Sequence, residues 1–150
     1  MAQSLSQIYL HIVFSTKYHY PFLENTVDDE LYAYIGASIK RIEGIPLSIN
    51  GDCNHIHILT TFPRTITVAD FMKDIKANSS HWLKTKGEPY HDFAWQNGYG
   101  VFSVSSSKRQ VVANYIARQK EHHKKIDYQN EFLQFLQKYG VNYDERYVWD

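Results

Sequence analysis

The segment "CNHIHILTTF" sets His55 and His57 on either side of Ile56. Side chains alternate across a strand, so the two imidazoles share one face while Ile56 and Ile58 share the other. Two readings fit this pair: a half-buried strand with a polar outer face, or two ligands of a metal ion that needs a third donor. A second set lies in "NYIARQKEHH", where Tyr115 and Gln119 are four residues apart and stack on one helical face, with His122 nearly in line. Tyr115 by itself reads as a core or interface aromatic with its hydroxyl reaching water. His122 and His123 suit the C-terminal end of a helix dipole. Cys53, the single cysteine, cannot form an internal disulfide and lies near a turn, which suits a reducing compartment and a structural or incidental role.

The elements that position these residues follow from periodicity. "QIYLHIVFST" is rich in β-branched and aromatic residues and predicts a first strand. From Thr26, Leu31, Tyr34, Ile35, Ile39 and Ile42 recur at helical spacing, with Asp28, Asp29 and Glu30 in the first turn and Gly44 after the end. "IPLSI" and "HIHILTTF" predict two strands joined at Asn50–Gly51, a strong hairpin signal. A second helix is expected from Val68 to Lys86, with Thr67 as N-cap and Phe71, Met72, Ile75, Trp82 and Leu83 on one stripe; Gly87 and Pro89 close it. "YGVFSVS" alternates as a fourth strand. Ser107 then opens a third helix, with Gln110 completing a capping box. A short amphipathic helix, "QNEFLQFLQKYG", and an aromatic tail, "YDERYVWD", end the chain.

This order predicts an α+β, ferredoxin-like (split βαβ) fold: an antiparallel sheet with helices on one face and an additional C-terminal tyrosine-bearing helix. Ile56 and Ile58 then face the helices. His55 and His57 face the open side of the sheet, on a rigid element suited to a site.

With 150 residues, 43% hydrophobic and 15% aromatic, residues 1–150 are expected to form one globular domain. The start of the chain lacks a secretory pattern, and no apolar run approaches the roughly 20 residues needed to span a bilayer. A cytoplasmic location is expected. Sixteen basic residues balance sixteen acidic ones, so overall charge does not point to nucleic acid. The acids gather early, in "ENTVDDE". The run "KRQVVANYIARQKEHHKK" carries Lys108, Arg109, Arg118, Lys120, Lys124 and Lys125 against Glu121 alone, a local basic face or a solvated helix surface.

Taken in order, "HIVFSTKY", "HIHIL", "DFMKDIKANSSHWL", "FAWQNGYGVFSVS", "NYIARQKEHH" and "EFLQFLQKYGVNYDERYVW" resemble the single-tyrosine transposases of the HUH endonuclease superfamily, of the insertion-sequence-200 type and its REP-associated relatives. The resemblance covers nearly the whole chain. It implies that His55, His57 and Gln119 bind a divalent metal, Mg²⁺ or Mn²⁺, and that Tyr115 is the nucleophile. The implied reaction is cleavage and rejoining of single-stranded DNA by transesterification through a 5′-phosphotyrosine, with hairpins recognised at element ends. It further implies a homodimer in which Tyr115 and Gln119 act in trans or in cis, inside a bacterial or archaeal cell. His122 and His123 match the family's paired histidines, whereas His19 in "TKYHYPF" stands where many relatives carry arginine.

The chemistry suits the residue types. A tyrosine of pKa about 10 is a weak nucleophile at neutral pH, and a cation held by neutral ligands keeps its charge for the phosphate. Imidazole alone would favour zinc, copper, iron or nickel over Mg²⁺, and Mn²⁺ is the better match of the family's two metals. A zinc hydrolase lacks a further spaced His, Cys or Asp set, and Leu59 breaks the pattern of histidine-triad nucleotide hydrolases. The six basic residues are candidate phosphate contacts, and Tyr99 a candidate base-stacking platform; Trp95 reads better as core. Two alternatives remain: a domesticated hairpin nuclease of the same superfamily, and a silent ferredoxin-like module that binds single-stranded nucleic acid on its sheet.

Overall fold

The structure, a computed structural model, describes residues 2–23 and 25–150. Glu24 of the early acidic stretch lies outside them. The elements run β1 Tyr9–Ser15, α1 Asn25–Arg41, β2 Pro46–Asp52, β3 His55–Thr61, α2 Val68–Lys84, β4 Gly100–Val104, α3 Arg109–Ala117, α4 Gln119–His122 and α5 Tyr128–Lys138. The strands form one antiparallel sheet of order β2-β3-β1-β4. This is the expected α+β arrangement, a central antiparallel sheet with a tyrosine-bearing helix following it.

On one face of the sheet, Leu10, Ile12 and Phe14 of β1 and Ile56 and Ile58 of β3 are buried with Leu31, Ile35 and Ile39 of α1 and Phe71, Met72 and Ile75 of α2. Thr67 caps α2 as expected, its hydroxyl accepting from the Asp70 amide at 3.1 Å. The opposite face is not open. It carries Val13, Phe102, Leu59 and Val104, and these pack against Ile116 of α3 and Tyr128, Phe132 and Leu136 of α5. The apolar stripe of α5 has to be buried somewhere, and this face offers apolar partners on both sides of the histidines.

Three local expectations differ from what forms. Asn50 and Gly51 are not the hairpin turn: they pair with His57 and Ile56 inside the ladder, and the chain reverses at Cys53–Asn54. Gly51 is needed for close approach instead, since a Cβ there would lie 2.1 Å from the His55 carbonyl oxygen. The Ser107 capping box does not form either. Residues Ser106–Lys108 make a 3₁₀ turn, α3 starts at Arg109, and the Gln110 amide donates to Asn114 at 3.0 Å. Finally, the third helix is not continuous. Arg118 leaves helical geometry at φ −101° and ψ 16°, so α3 and α4 are separate and Gln119 does not sit directly below Tyr115.

Candidate metal and tyrosine site

Antiparallel register sets His57 opposite Val13 and His55 opposite Ser15, all on the face covered by α3, α4 and α5. Both histidines are 0% exposed. Each has one ring nitrogen tied down. His55 Nδ1 donates to Asn54 Oδ1 at 2.9 Å, and His57 Nδ1 lies 2.8 Å from Nε2 of His11, a buried histidine of β1. Such outer partners fix ring orientation and leave Nε2 of each ring aimed into the site.

Two donors arrive from the covering segments. Gln119 is fully buried; its Oε1 lies 3.2 Å from His55 Nε2. Glu131, 1% exposed, projects from α5 between the imidazoles. Its Oε1 is 2.8 Å from His57 Nε2, 3.0 Å from His123 Nε2 and 3.7 Å from His55 Nε2. Its Oε2 accepts the hydroxyl proton of Tyr115, and the Gln119 amide at 3.3 Å. His122 Nε2 approaches the Tyr115 hydroxyl at 3.1 Å. A single chain therefore brings Tyr115, His55, His57 and Gln119 together, and adds Glu131, His122 and His123.

One candidate ligand atom from each of His55, His57, His123 and Glu131 lies within 4.8 Å of the others. This corrects the sequence reading that no further spaced set joins the HxH pair. The cluster is capable of coordinating a divalent cation, and the donors suit one. Burial, followed by the neighbouring charges, holds His55 well below the usual imidazole range, and burial lowers His57 as well, so both rings are in the neutral, ligating form. Burial would raise the Glu131 carboxyl, but bonds from His123 and His57 and the bond from Tyr115 outweigh it and keep the group ionised. Tyr115 is pushed up by burial and then by the adjacent Glu131 carboxylate. Without an added positive charge it is a poorer nucleophile than free tyrosine.

The half-buried Tyr115 side chain borders two cavities. A cavity of about 270 Å³ lies between it and α5, lined in part by Phe135, Lys138 and Tyr139. A second, of about 570 Å³, is bordered by Arg118, Glu121, His122 and Lys125. Of the basic run, Arg118 and Lys125 thus stand beside Tyr115. Lys124 is exposed near the end of α4, and Lys108 and Arg109 lie at the far end of α3, where the Arg109 guanidinium sits 5.9 Å from the Tyr9 ring. Lys120 turns the other way, pairing with buried Asp28 at 2.9 Å and donating to the Gly51 carbonyl at 3.1 Å. It ties α4 to α1 and β2. Tyr99 borders a separate groove along α2, 5.8 Å from Lys76. Trp95 is core, its Nε1 donating to Ser79 Oγ at 2.9 Å. His19 packs against Tyr128 and Trp149, at ring separations of 5.6 and 5.3 Å.

Sequence reasoning missed His11, Asn54 and Glu131. The signal for Glu131 was present: with Tyr128, Phe132 and Leu136 it lies on the buried stripe of α5, and an acid on an apolar stripe calls for buried partners.

The profile of the family described as Transposase IS200 like matches residues 4–119. No curated protein matches. Among solved structures, a candidate transposase from Deinococcus radiodurans R1, determined at 1.90 Å, superposes with a TM-score of 0.62 at 20% identity, over 79% of this chain and 98% of that one. A REP-associated tyrosine transposase bound to a REP hairpin superposes with a TM-score of 0.60 at 14% identity, over 84% of this chain and 76% of the other. At these identities the superpositions establish a shared fold.

Proposed function

This chain belongs to the IS200-like transposase family, and on that premise we propose that it cuts and rejoins single-stranded DNA with Tyr115 as nucleophile and His55, His57 and Gln119 as metal ligands. The observation that carries the reading is the meeting, within one chain, of a tyrosine hydroxyl and a buried histidine cluster from elements far apart in sequence. Residues 1–150 act as one catalytic domain.

The chain's own groups do the following. Glu131 Oε2 and His122 Nε2 orient the hydroxyl of Tyr115, whose side chain borders both cavities. Glu131, kept ionised by its hydrogen bonds, orients the phenolic hydrogen but is too weak a base to keep it, and the proton passes to solvent water as the new bond forms. The Tyr115 oxygen bonds to phosphorus, the bond from phosphorus to the 3′ oxygen breaks, and that oxygen takes up a proton to leave a free 3′-hydroxyl and a 5′-phosphotyrosine. Reversal by another 3′-hydroxyl rejoins strands without an energy source. A bound Mg²⁺ or Mn²⁺ supplies the positive charge that polarises a non-bridging phosphate oxygen. Arg118 and Lys125 flank the DNA phosphates, with Lys108, Arg109 and Lys124 extending the basic edge. Lys120, held by Asp28, serves the fold first. Tyr99 in its separate groove is a stacking platform away from the chemistry.

The relative bound to a REP hairpin supports a hairpin as the DNA recognised. A homodimer is part of the proposal, with Tyr115 and Gln119 serving the histidines of their own chain, since Gln119 meets His55 directly and Tyr115 bonds the Glu131 carboxylate that lies against His57. The protein acts in the cytoplasm; no helix among the described residues is long and apolar enough to cross a membrane. The test is a labelled single strand from the flanks of the encoding locus, incubated with protein and Mn²⁺. A covalent adduct is expected that Tyr115→Phe abolishes. Binding without cleavage of any flank sequence would favour the silent nucleic-acid module.

A further inference from the structure

The family match ends at residue 119, yet the centre of the site is filled by a side chain twelve residues beyond it. We propose that Glu131 is the anionic ligand of the cation and that its second oxygen holds the Tyr115 hydroxyl, so that one carboxylate from α5 ties cofactor to nucleophile. This rests on the metal-dependent reading above and adds a ligand to it.

Three observations converge. The first is placement: Glu131 Oε1 lies within 3.7 Å of Nε2 of His55, His57 and His123, whereas Oε2 accepts from Tyr115. The two oxygens of one group therefore face the two halves of the site. The second is burial without a permanent counter-charge. The carboxylate is 1% exposed, and its ion-pair partners within 4.0 Å among the described residues are histidines alone, with no Lys or Arg. An ionised carboxylate buried in this way is costly unless hydrogen bonds or a cation compensate it. The third is donor chemistry. Mg²⁺ and Mn²⁺ take oxygen ligands in preference to nitrogen, and two imidazoles with an amide offer no charge. A carboxylate converts a mediocre site for these ions into a suitable one.

Gln119 then has a supporting part as well as a ligating one, since its amide nitrogen donates to Glu131 Oε2 at 3.3 Å. Helix α5 becomes part of the catalytic apparatus rather than a lid on it. It is seated by Tyr128, Phe132 and Leu136 against Val13 and Phe102.

The experiment measures Mn²⁺ affinity by electron paramagnetic resonance of the free ion, on the full chain without DNA. Glu131→Gln, nearly isosteric, is expected to weaken binding by at least about 100-fold, the upper end of what loss of an outer partner costs. Gln119→Ala is expected to weaken it less. Unchanged affinity in Glu131→Gln, with far-UV circular dichroism like wild type, would overturn the proposal. A measurement on wild type covers the case where that variant does not fold: with ¹³C-labelled glutamate carboxyls, one equivalent of Mn²⁺ should broaden one glutamate carboxyl resonance beyond detection. Broadening of none would overturn the proposal equally. The two readings fail separately. An adduct on Tyr115 with Glu131 indifferent to Mn²⁺ would spare the DNA chemistry and remove this ligand. A Glu131-dependent Mn²⁺ site with no adduct would do the reverse.

Discussion

On the face that meets α1 and α2, β1 and β3 contribute Ile12, Phe14, Ile56 and Ile58; on the opposite face the same two strands contribute His11, His55 and His57, buried just as fully. The apolar side needs only shape and volume, because burial of each large side chain is favourable by about 1.5–3 kcal/mol whatever its neighbour. The histidine side gains nothing from burial as such. Each buried nitrogen or oxygen left unpaired costs about 1–3 kcal/mol, so each requires a named partner: Asn54 for His55, His11 for His57, and His57, His123, Gln119 and Tyr115 for Glu131. One face holds the chain together, and the other holds a constellation in place.

The division can be broken from either side. The largest effect is expected from a pair of substitutions one residue apart on β3. Ile58→Ala should lower stability by about 2–5 kcal/mol in urea unfolding, while the folded fraction binds Mn²⁺ as wild type does. His57→Ala should abolish measurable Mn²⁺ binding. Comparable loss of metal affinity in both variants would mean that the faces are not separable.

Next in size is the response to pH in metal-free protein. His11, His55 and His57 all sit below the ordinary imidazole value of 6.5, chiefly through burial. Above that value neither folded nor unfolded chain holds the extra protons, and stability is level. Below it the unfolded chain takes up protons that the folded chain refuses, so stability falls as pH falls, by at most about 1.4 kcal/mol per pH unit for each group. Glu131 is displaced downward from 4.5, so the stability that it contributes persists until the pH drops below that value. The fall between 6.5 and 4.5 is thus the imidazole contribution, opposed by Asp28, whose carboxyl is raised by burial so that the folded chain takes up its proton first. Thermal unfolding across that range should show the fall, and His11→Leu should flatten it; a slope unchanged in that variant would place the proton uptake elsewhere.

A smaller effect is expected at the turn. Asn54→Ala leaves both histidines in place but frees the His55 ring, and should weaken Mn²⁺ binding by about tenfold with little change in stability.

The two faces also differed in how much of them could be read from sequence. Alternation in β3 separated Ile56 and Ile58 from His55 and His57, and helical spacing with Thr67 located α2, because both signals are local. Asn50–Gly51 misled for a physical reason: a turn-like pair was required inside the ladder, where Gly51 admits the His55 backbone and the Asn50 amide donates to the Ala117 carbonyl at 3.1 Å. Resemblance brought Tyr115 and Gln119 to the histidines. The break at Arg118 was invisible to periodicity, since Tyr115 and Gln119 keep helical spacing across it. Glu131 escaped because an acid in an amphipathic helix is ordinarily solvent-facing, and its partners His57 and Tyr115 lie 74 and 16 residues away in sequence.

The central claim is that Tyr115 becomes covalently joined to DNA. A hairpin-bearing single strand from the flanks of the encoding locus is incubated with protein and Mn²⁺, the complex is digested with trypsin and nuclease, and the modified peptide is sequenced by mass spectrometry. The account predicts a nucleotide attached through its 5′-phosphate to Tyr115 in the peptide spanning residues 110–118. Attachment at any other residue, or an adduct of undiminished yield from Tyr115→Phe, would contradict it.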